Sequence, residues 1–132
     1  MFYDTKFLRD IGVESMCNDS TFSLEQLERF KIQRAYYGLD ERNTWDLRYA
    51  TAEWIYNNLN MYKLVASNIV DLEFYAFDLA GIKFTQSELI DKTLQYLELF
   101  FIAESKYNDY MSHICIHLAL YLYNIIIEHL WW

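Results

Sequence analysis

No proline occurs anywhere in the 132 residues, and glycine occurs only at Gly12, Gly38 and Gly81. β-Sandwiches and barrels reverse the chain about every 8–12 residues with these two residue types. A chain with three such positions is therefore expected to be all-α, a bundle of four to five helices. The length is that of one domain, so residues 1–132 are read as a single helical domain. Apolar residues make up 54% of the chain and aromatics 19%, which argues against disorder despite a net charge of -8.

Capping signals place the helices. Ser23 with Gln26 forms a capping box, Leu24, Leu27 and Phe30 follow at helical spacing, and Gly38 supplies a left-handed stop, giving a helix over 23–37. Asn43 or Thr44 caps a second helix over 44–64, whose stripe Leu47, Ala50, Trp54, Asn58 and Met61 is expected to face a core. Residues 66–80 mix both periods. A short helix ending at Gly81 is expected there, with a strand as the alternative. Thr85 and Glu88 form the clearest capping box, and Leu89, Ile90, Leu94, Leu97 and Phe101 carry that helix to about Glu104. Asn108 or Asp109 caps a last helix, apolar almost all round and so expected to be the buried centre of the bundle. Residues 1–22 read as a short helical or irregular lead-in followed by a polar loop at 17–21.

Charge restricts the partners. Residues 1–64 hold ten acids against eight bases, and residues 65–132 hold nine acids against only Lys83, Lys92 and Lys106. Neutralising phosphates needs the opposite sign, which disfavours direct nucleic-acid binding and favours a basic protein partner. Arg29, Lys31, Arg34, Arg42 and Arg48 are interleaved with Glu28, Asp40, Glu41 and Asp46, so local salt bridges are their expected use. The apolar run Met111 to Ile127 is broken by His113, His117 and Asn124 and falls short of a clean span, so a membrane role is not expected. The charged first ten residues, with no signal-like apolar stretch, and two distant cysteines, Cys17 and Cys115, fit a reducing cytoplasmic setting.

Catalytic motifs are scarce. His113 and His117, at i and i+4, could present two imidazoles to a metal, but no H-E-x-x-H or Glu-x-x-His accompanies them. Their ordinary reading is that of buried polar residues, each hydrogen-bonded to a tyrosine or carboxylate of another helix. Cys115, about 200° round the helix, reads as a core residue. Asp46 with Glu53, and Asp91 with Glu98, share helix faces but lie about 10 Å apart along the axis, which suits a solvated surface better than a shared proton. Phosphate loops, the G-x-S-x-G elbow and Cys-x-x-Cys do not occur. No catalytic residue and no cofactor are therefore expected. Aromatics are plentiful enough to serve as anchors, and Tyr36, Tyr37, Tyr107, Tyr110, Trp131 and Trp132 are expected near the surface.

The segment Gly38-Leu-Asp-Glu-Arg-Asn-Thr-Trp-Asp-Leu, with Ala52-Glu-Trp-Ile and Leu59 after it, resembles a pattern in small bacteriophage-encoded proteins of unknown role. Phe84-Thr85-Gln-Ser-Glu88 through Leu97-Glu98 resembles the threonine-capped helix of the same pattern, and together they cover about half of the chain. Leu89 stands where that pattern often has tryptophan. The resemblance implies a phage origin and, by analogy, an inhibitor of a host or defence protein such as a CRISPR-Cas effector, acting by occupying a basic, nucleic-acid-binding cleft. On this expectation Glu73, Asp78, Glu88, Asp91, Glu98 and Glu104 supply complementary charge, and Tyr107 and Tyr110 supply anchors. The alternatives are a metal-dependent protein using His113 and His117, or a structural homodimer formed by the last helix.

Overall fold

The fold is that of a computed structural model, which describes residues 4–13 and 21–131. The elements are α1 (Lys6–Asp10), α2 (Leu24–Tyr37), a 3-10 turn (Glu41–Thr44), α3 (Leu47–Ala66), β1 (Ala76–Leu79), β2 (Ile82–Thr85), α4 (Gln86–Ser105), α5 (Asp109–Ile126) and a terminal 3-10 turn (Ile127–His129). The protein is thus mostly helical, with one small antiparallel hairpin. It divides into two compact units, Met1–Ile55 and Tyr56–Trp132, with α3 contributing to both.

In the first unit the Ser23 hydroxyl accepts from the Gln26 amide at 3.1 Å, and the Gln26 carboxamide accepts from the Ser23 amide at 2.9 Å. Both ends of that first turn are thereby satisfied. Gly38 ends α2 with φ of 79°, where a side chain would be strained. The α2 boundaries are those expected from sequence. Thr5 caps α1, which buries Leu8, while Cys17 to Ser20 of the expected polar loop lie outside the described residues.

α3 begins later than expected. Residues 41–44 form a 3-10 turn capped by Asp40, and the Asp46 carboxylate accepts from the Tyr49 amide at 3.0 Å. The expected core stripe is also wrong. Leu47, Trp54, Asn58 and Met61 are exposed, whereas Tyr49, Ala52, Glu53, Ile55, Tyr56 and Leu59 are buried. α3 carries large apolar side chains on both faces, so periodicity identified a helix without identifying its inner side. Burial of Glu53 likewise corrects the reading of Asp46 and Glu53 as a solvated pair.

In the second unit the short helix expected over 66–80 is not formed at its end, where the alternative, a strand, appears as β1 of a hairpin over 76–85. Phe77 pairs with Phe84 and Asp78 with Lys83. The two turn residues, Ala80 and Gly81, both have positive φ, as the two-residue turn matching strand twist requires. The Asp78 carboxylate accepts from the Gly81 amide at 2.8 Å and fixes the reversal. Thr85, the last strand residue, is also the N-cap of α4, with both capping-box bonds at 3.2 Å. The expected α4 stripe, Leu89, Ile90, Leu94, Leu97 and Phe101, is buried throughout.

α5 starts where expected, with the Asn108 side chain accepting from Met111, but it is not a buried central helix. It buries Ser112, Cys115, Ile116, Ala119, Leu122 and Ile126 on one side and leaves Tyr110, Met111, Leu118 and Tyr121 exposed on the other. Asp109–His129 is long and apolar enough by length and composition to cross a membrane, and one third of its most apolar window is buried. All-round apolarity therefore did not equal burial. Burial pushes the Cys115 thiol above its ordinary pKa, in keeping with the core role expected for it.

Candidate functional site

The eight residues expected to bind a partner do not form one site. Glu73, Asp78 and Glu88 belong to the turn, hairpin and first turn of α4, which the Ser87 amide ties together by donating to the Leu72 carbonyl at 3.0 Å. Glu104 lies in the last turn of α4, and Tyr107 and Tyr110 lie beyond that end, whereas the first three stand at the other end of a helix whose 20 residues span about 30 Å. Tyr107 and Tyr110 are highly exposed, as are Tyr36, Tyr37 and Trp131, while Trp132 lies outside the described residues.

The carboxylates differ in availability. Asp91 is paired with Lys63, and Glu98 accepts from the Tyr56 hydroxyl at 2.8 Å. Glu73, Asp78 and Glu88 are exposed and form no ion pair among the described residues. Asp78 and Glu88 each use one oxygen to accept from a backbone amide.

A pocket of about 260 Å³ opens in the second unit, lined by Val70, Asp71, Phe74, Tyr75, Gln86, His129 and Trp131. Its walls come from three stretches distant in sequence. The Phe74 and Tyr75 rings meet edge to face, with centroids 5.6 Å apart and planes at 88°. Tyr75 also lies 4.3 Å from the His129 ring, which Phe77 meets edge-on at 5.3 Å. The buried Gln86 carboxamide donates to the His129 carbonyl at 2.9 Å. The Tyr62 hydroxyl lies 3.4 and 3.3 Å from the carbonyls of His129 and Trp131, within donating distance of both. These bonds hold the segment carrying Trp131 as a fixed wall. Burial raises the Tyr62 phenol above its ordinary pKa, against the smaller opposing effect of its hydrogen bond with Gln86, so the phenol stays a donor at neutral pH.

The pocket is mostly apolar and aromatic, with one carboxylate, Asp71, and no lysine or arginine in its lining. Its volume lies below the roughly 300–1,000 Å³ of pockets that take drug-sized ligands, and suits a single side chain. Aromatic walls around a carboxylate stabilise a cation, by about 0.5–2 kcal/mol per ring contact depending on desolvation. Sequence reasoning missed this site. The run Phe74-Tyr75-Ala-Phe77 was its one visible trace, and the contributions of Gln86, His129 and Trp131 follow only from the fold.

The histidine pair is arranged differently from expectation. His113 and His117 are both exposed on α5, with ring centroids 4.3 Å apart, which corrects their reading as buried residues bonded to another helix. Among the described residues no group of three or more His, Cys, Asp or Glu is placed to hold a metal ion.

Three of the five interleaved bases, Arg29, Arg34 and Arg42, form the expected local salt bridges. Arg29 pairs with Glu41, and Arg34 lies 3.5 Å from Asp40. Arg42 and Asp40 form a buried two-pronged pair, Nε to Oδ1 at 3.0 Å and Nη2 to Oδ2 at 2.8 Å. The guanidinium lies over Phe30, 4.5 Å from its centroid.

No protein-family model, no curated protein and no solved structure matches the chain.

Proposed function

We propose that the protein acts by stoichiometric contact, its second unit binding a basic segment of another protein. The observation that carries this reading is the pocket of Phe74, Tyr75 and Trp131 with Asp71 at its wall, set in the same stretch as the unpaired charges of Glu73, Asp78 and Glu88. A lysine or arginine side chain meets both of its needs there: ring faces for the cation and stem, and a carboxylate for the charge. The surrounding unit, residues 56–132, holds nine acids against four bases, which steers a basic partner towards the site. Tyr107 and Tyr110 lie too far along α4 to join this contact. The resemblance to phage proteins supplies the partner class: a host or defence protein whose basic cleft normally takes nucleic acid, such as a CRISPR-Cas effector, with inhibition as the consequence.

Substitutions that preserve every local hydrogen bond test the charge. Glu73→Gln, Asp78→Asn and Glu88→Gln together remove three charges, while the carboxamide oxygens introduced at positions 78 and 88 still accept from the backbone amides. The triple variant is expected to fold with stability within about 1 kcal/mol of the parent. Captured partners should be retained from host extract by the parent at low salt, and lost both at high salt and with the variant. Retention of the same partners by the variant would exclude these carboxylates from the contact.

A further inference from the structure

The exposed side of α5 has an unusual makeup. Between Asp109 and Glu128 the helix contains no aspartate, glutamate, lysine or arginine, yet much of this stretch faces outward. Tyr110 is 74% exposed and Tyr121 59%. In the middle of that face stand the two imidazoles of His113 and His117, 4.3 Å apart.

We propose that this face is the half of a symmetric dimer, and that the two histidine pairs meet across its twofold axis to hold one divalent transition-metal ion, with zinc as the fitting example. Imidazole suits zinc, copper and nickel, and a closed zinc site takes four ligands in a tetrahedron. A zinc ion about 2.0–2.1 Å from two nitrogens sets the ring centroids roughly 5 Å apart, within a small side-chain adjustment of the observed spacing. One chain supplies only two of the four ligands. Asp109 lies eight residues from His117, about 12 Å along the axis, and Cys115 is buried on the opposite side. A second copy doubles the pair without needing any further residue type.

Symmetry also fits the flanks. In an antiparallel pairing of α5 with its copy about the midpoint of the two histidines, Tyr110 of each copy falls beside Tyr121 of the other, since they stand three and four residues outside the pair. Aromatic contacts thus close both ends of the metal site and exclude water from it. The chain's acidity opposes association, but residues 110–127 carry no Asp, Glu, Lys or Arg, and at physiological salt charges more than about 8 Å apart are largely screened. A lipid surface is a poorer occupant. An interfacial helix carries lysine or arginine on its polar side, and residues 107–132 contain neither.

Sedimentation velocity of the full chain, with EDTA and with added zinc chloride, tests the proposal. The mass is expected to double on zinc addition, saturating at one zinc per two chains, and to return to monomer with EDTA. His113→Ala and His117→Ala should each weaken zinc binding by more than about 100-fold, beyond the loss from removing an outer-sphere partner. Tyr121→Glu replaces an exposed side chain, spares folding and forces a carboxylate out of water against Tyr110 of the other copy. It should abolish the dimer with all four imidazoles intact. Zinc bound at one per chain without a change in mass would overturn the proposal. So would a dimer indifferent to EDTA and to His113→Ala, or pelleting with phosphatidylcholine vesicles in place of dimerisation.

Discussion

Asp40→Asn will destabilise the first unit by about 3–5 kcal/mol, the cost of breaking a buried ion pair from one side. Asp40 and Arg42 are 3% and 5% exposed, so solvent cannot replace the lost charge. The carboxylate accepts from the Arg42 Nε, Nη2 and backbone amide, and so fixes both the guanidinium and the turn leading into α3. Phe22 and Phe30 bracket that guanidinium, with centroids 5.6 and 4.5 Å away, and Phe22 meets Phe30 edge to face. Losing the carboxylate therefore disturbs an aromatic cluster as well as a charge pair. Hydrogen exchange of the α2 amides, compared between parent and variant, reads the loss in this unit.

The same pair gives a pH dependence of fixed sign. Burial alone would raise the Asp40 carboxyl, but the hydrogen bonds and charge of Arg42, aided by Arg34, outweigh it and hold the group below its ordinary value. The unfolded chain thus binds a proton more readily than the folded one. This contribution is complete above about pH 4, the unfolded value, and is lost as pH falls through the depressed native value. The stability gap between parent and Asp40→Asn should accordingly narrow below about pH 4. A gap that widens on acidification would show that Asp40 is not held as the anion.

Phe100→Ala will cost the second unit about 3–5 kcal/mol. Phe100 is fully buried in α4, 5.6 Å from Phe101, whose ring meets Tyr56 edge-on at 5.5 Å. Removing the ring leaves a cavity that the facing aromatic side chains, already in contact, cannot collapse to fill. Leu99→Ala, one residue away but 40% exposed, is the matched control and should cost under about 1 kcal/mol. Urea denaturation of the two variants measures the difference, and equal losses would mean that the inner face of α4 has been misassigned.

The elements legible in the sequence were those with paired local signals. α2 and α4 carry a capping box whose two hydrogen bonds lie within four residues, so neither depends on distant packing. The hairpin was hidden because Ala80 precedes Gly81 where Asn or Asp usually advertises such a turn, and because Phe74, Tyr75 and Phe77 fit either period. The inner faces of α3 and α5 were misjudged for a shared reason. Apolarity spread round a helix states how much could be buried, and only the neighbouring elements decide which part is. The pocket could not be read at all, since Asp71, Gln86 and Trp131 come together through the hairpin and the terminal turn and share no local motif.

Amide chemical-shift mapping with a short lysine- and arginine-rich peptide probes the contact reading at the residues themselves. Shifts should saturate at one peptide per chain, cluster at residues 71–75, 86 and 129–131, and shrink with added salt and in Asp71→Asn. Peptide that leaves those amides unmoved, or that moves chiefly the amides of α2, would show that the aromatic pocket and its carboxylate are not where a basic partner binds.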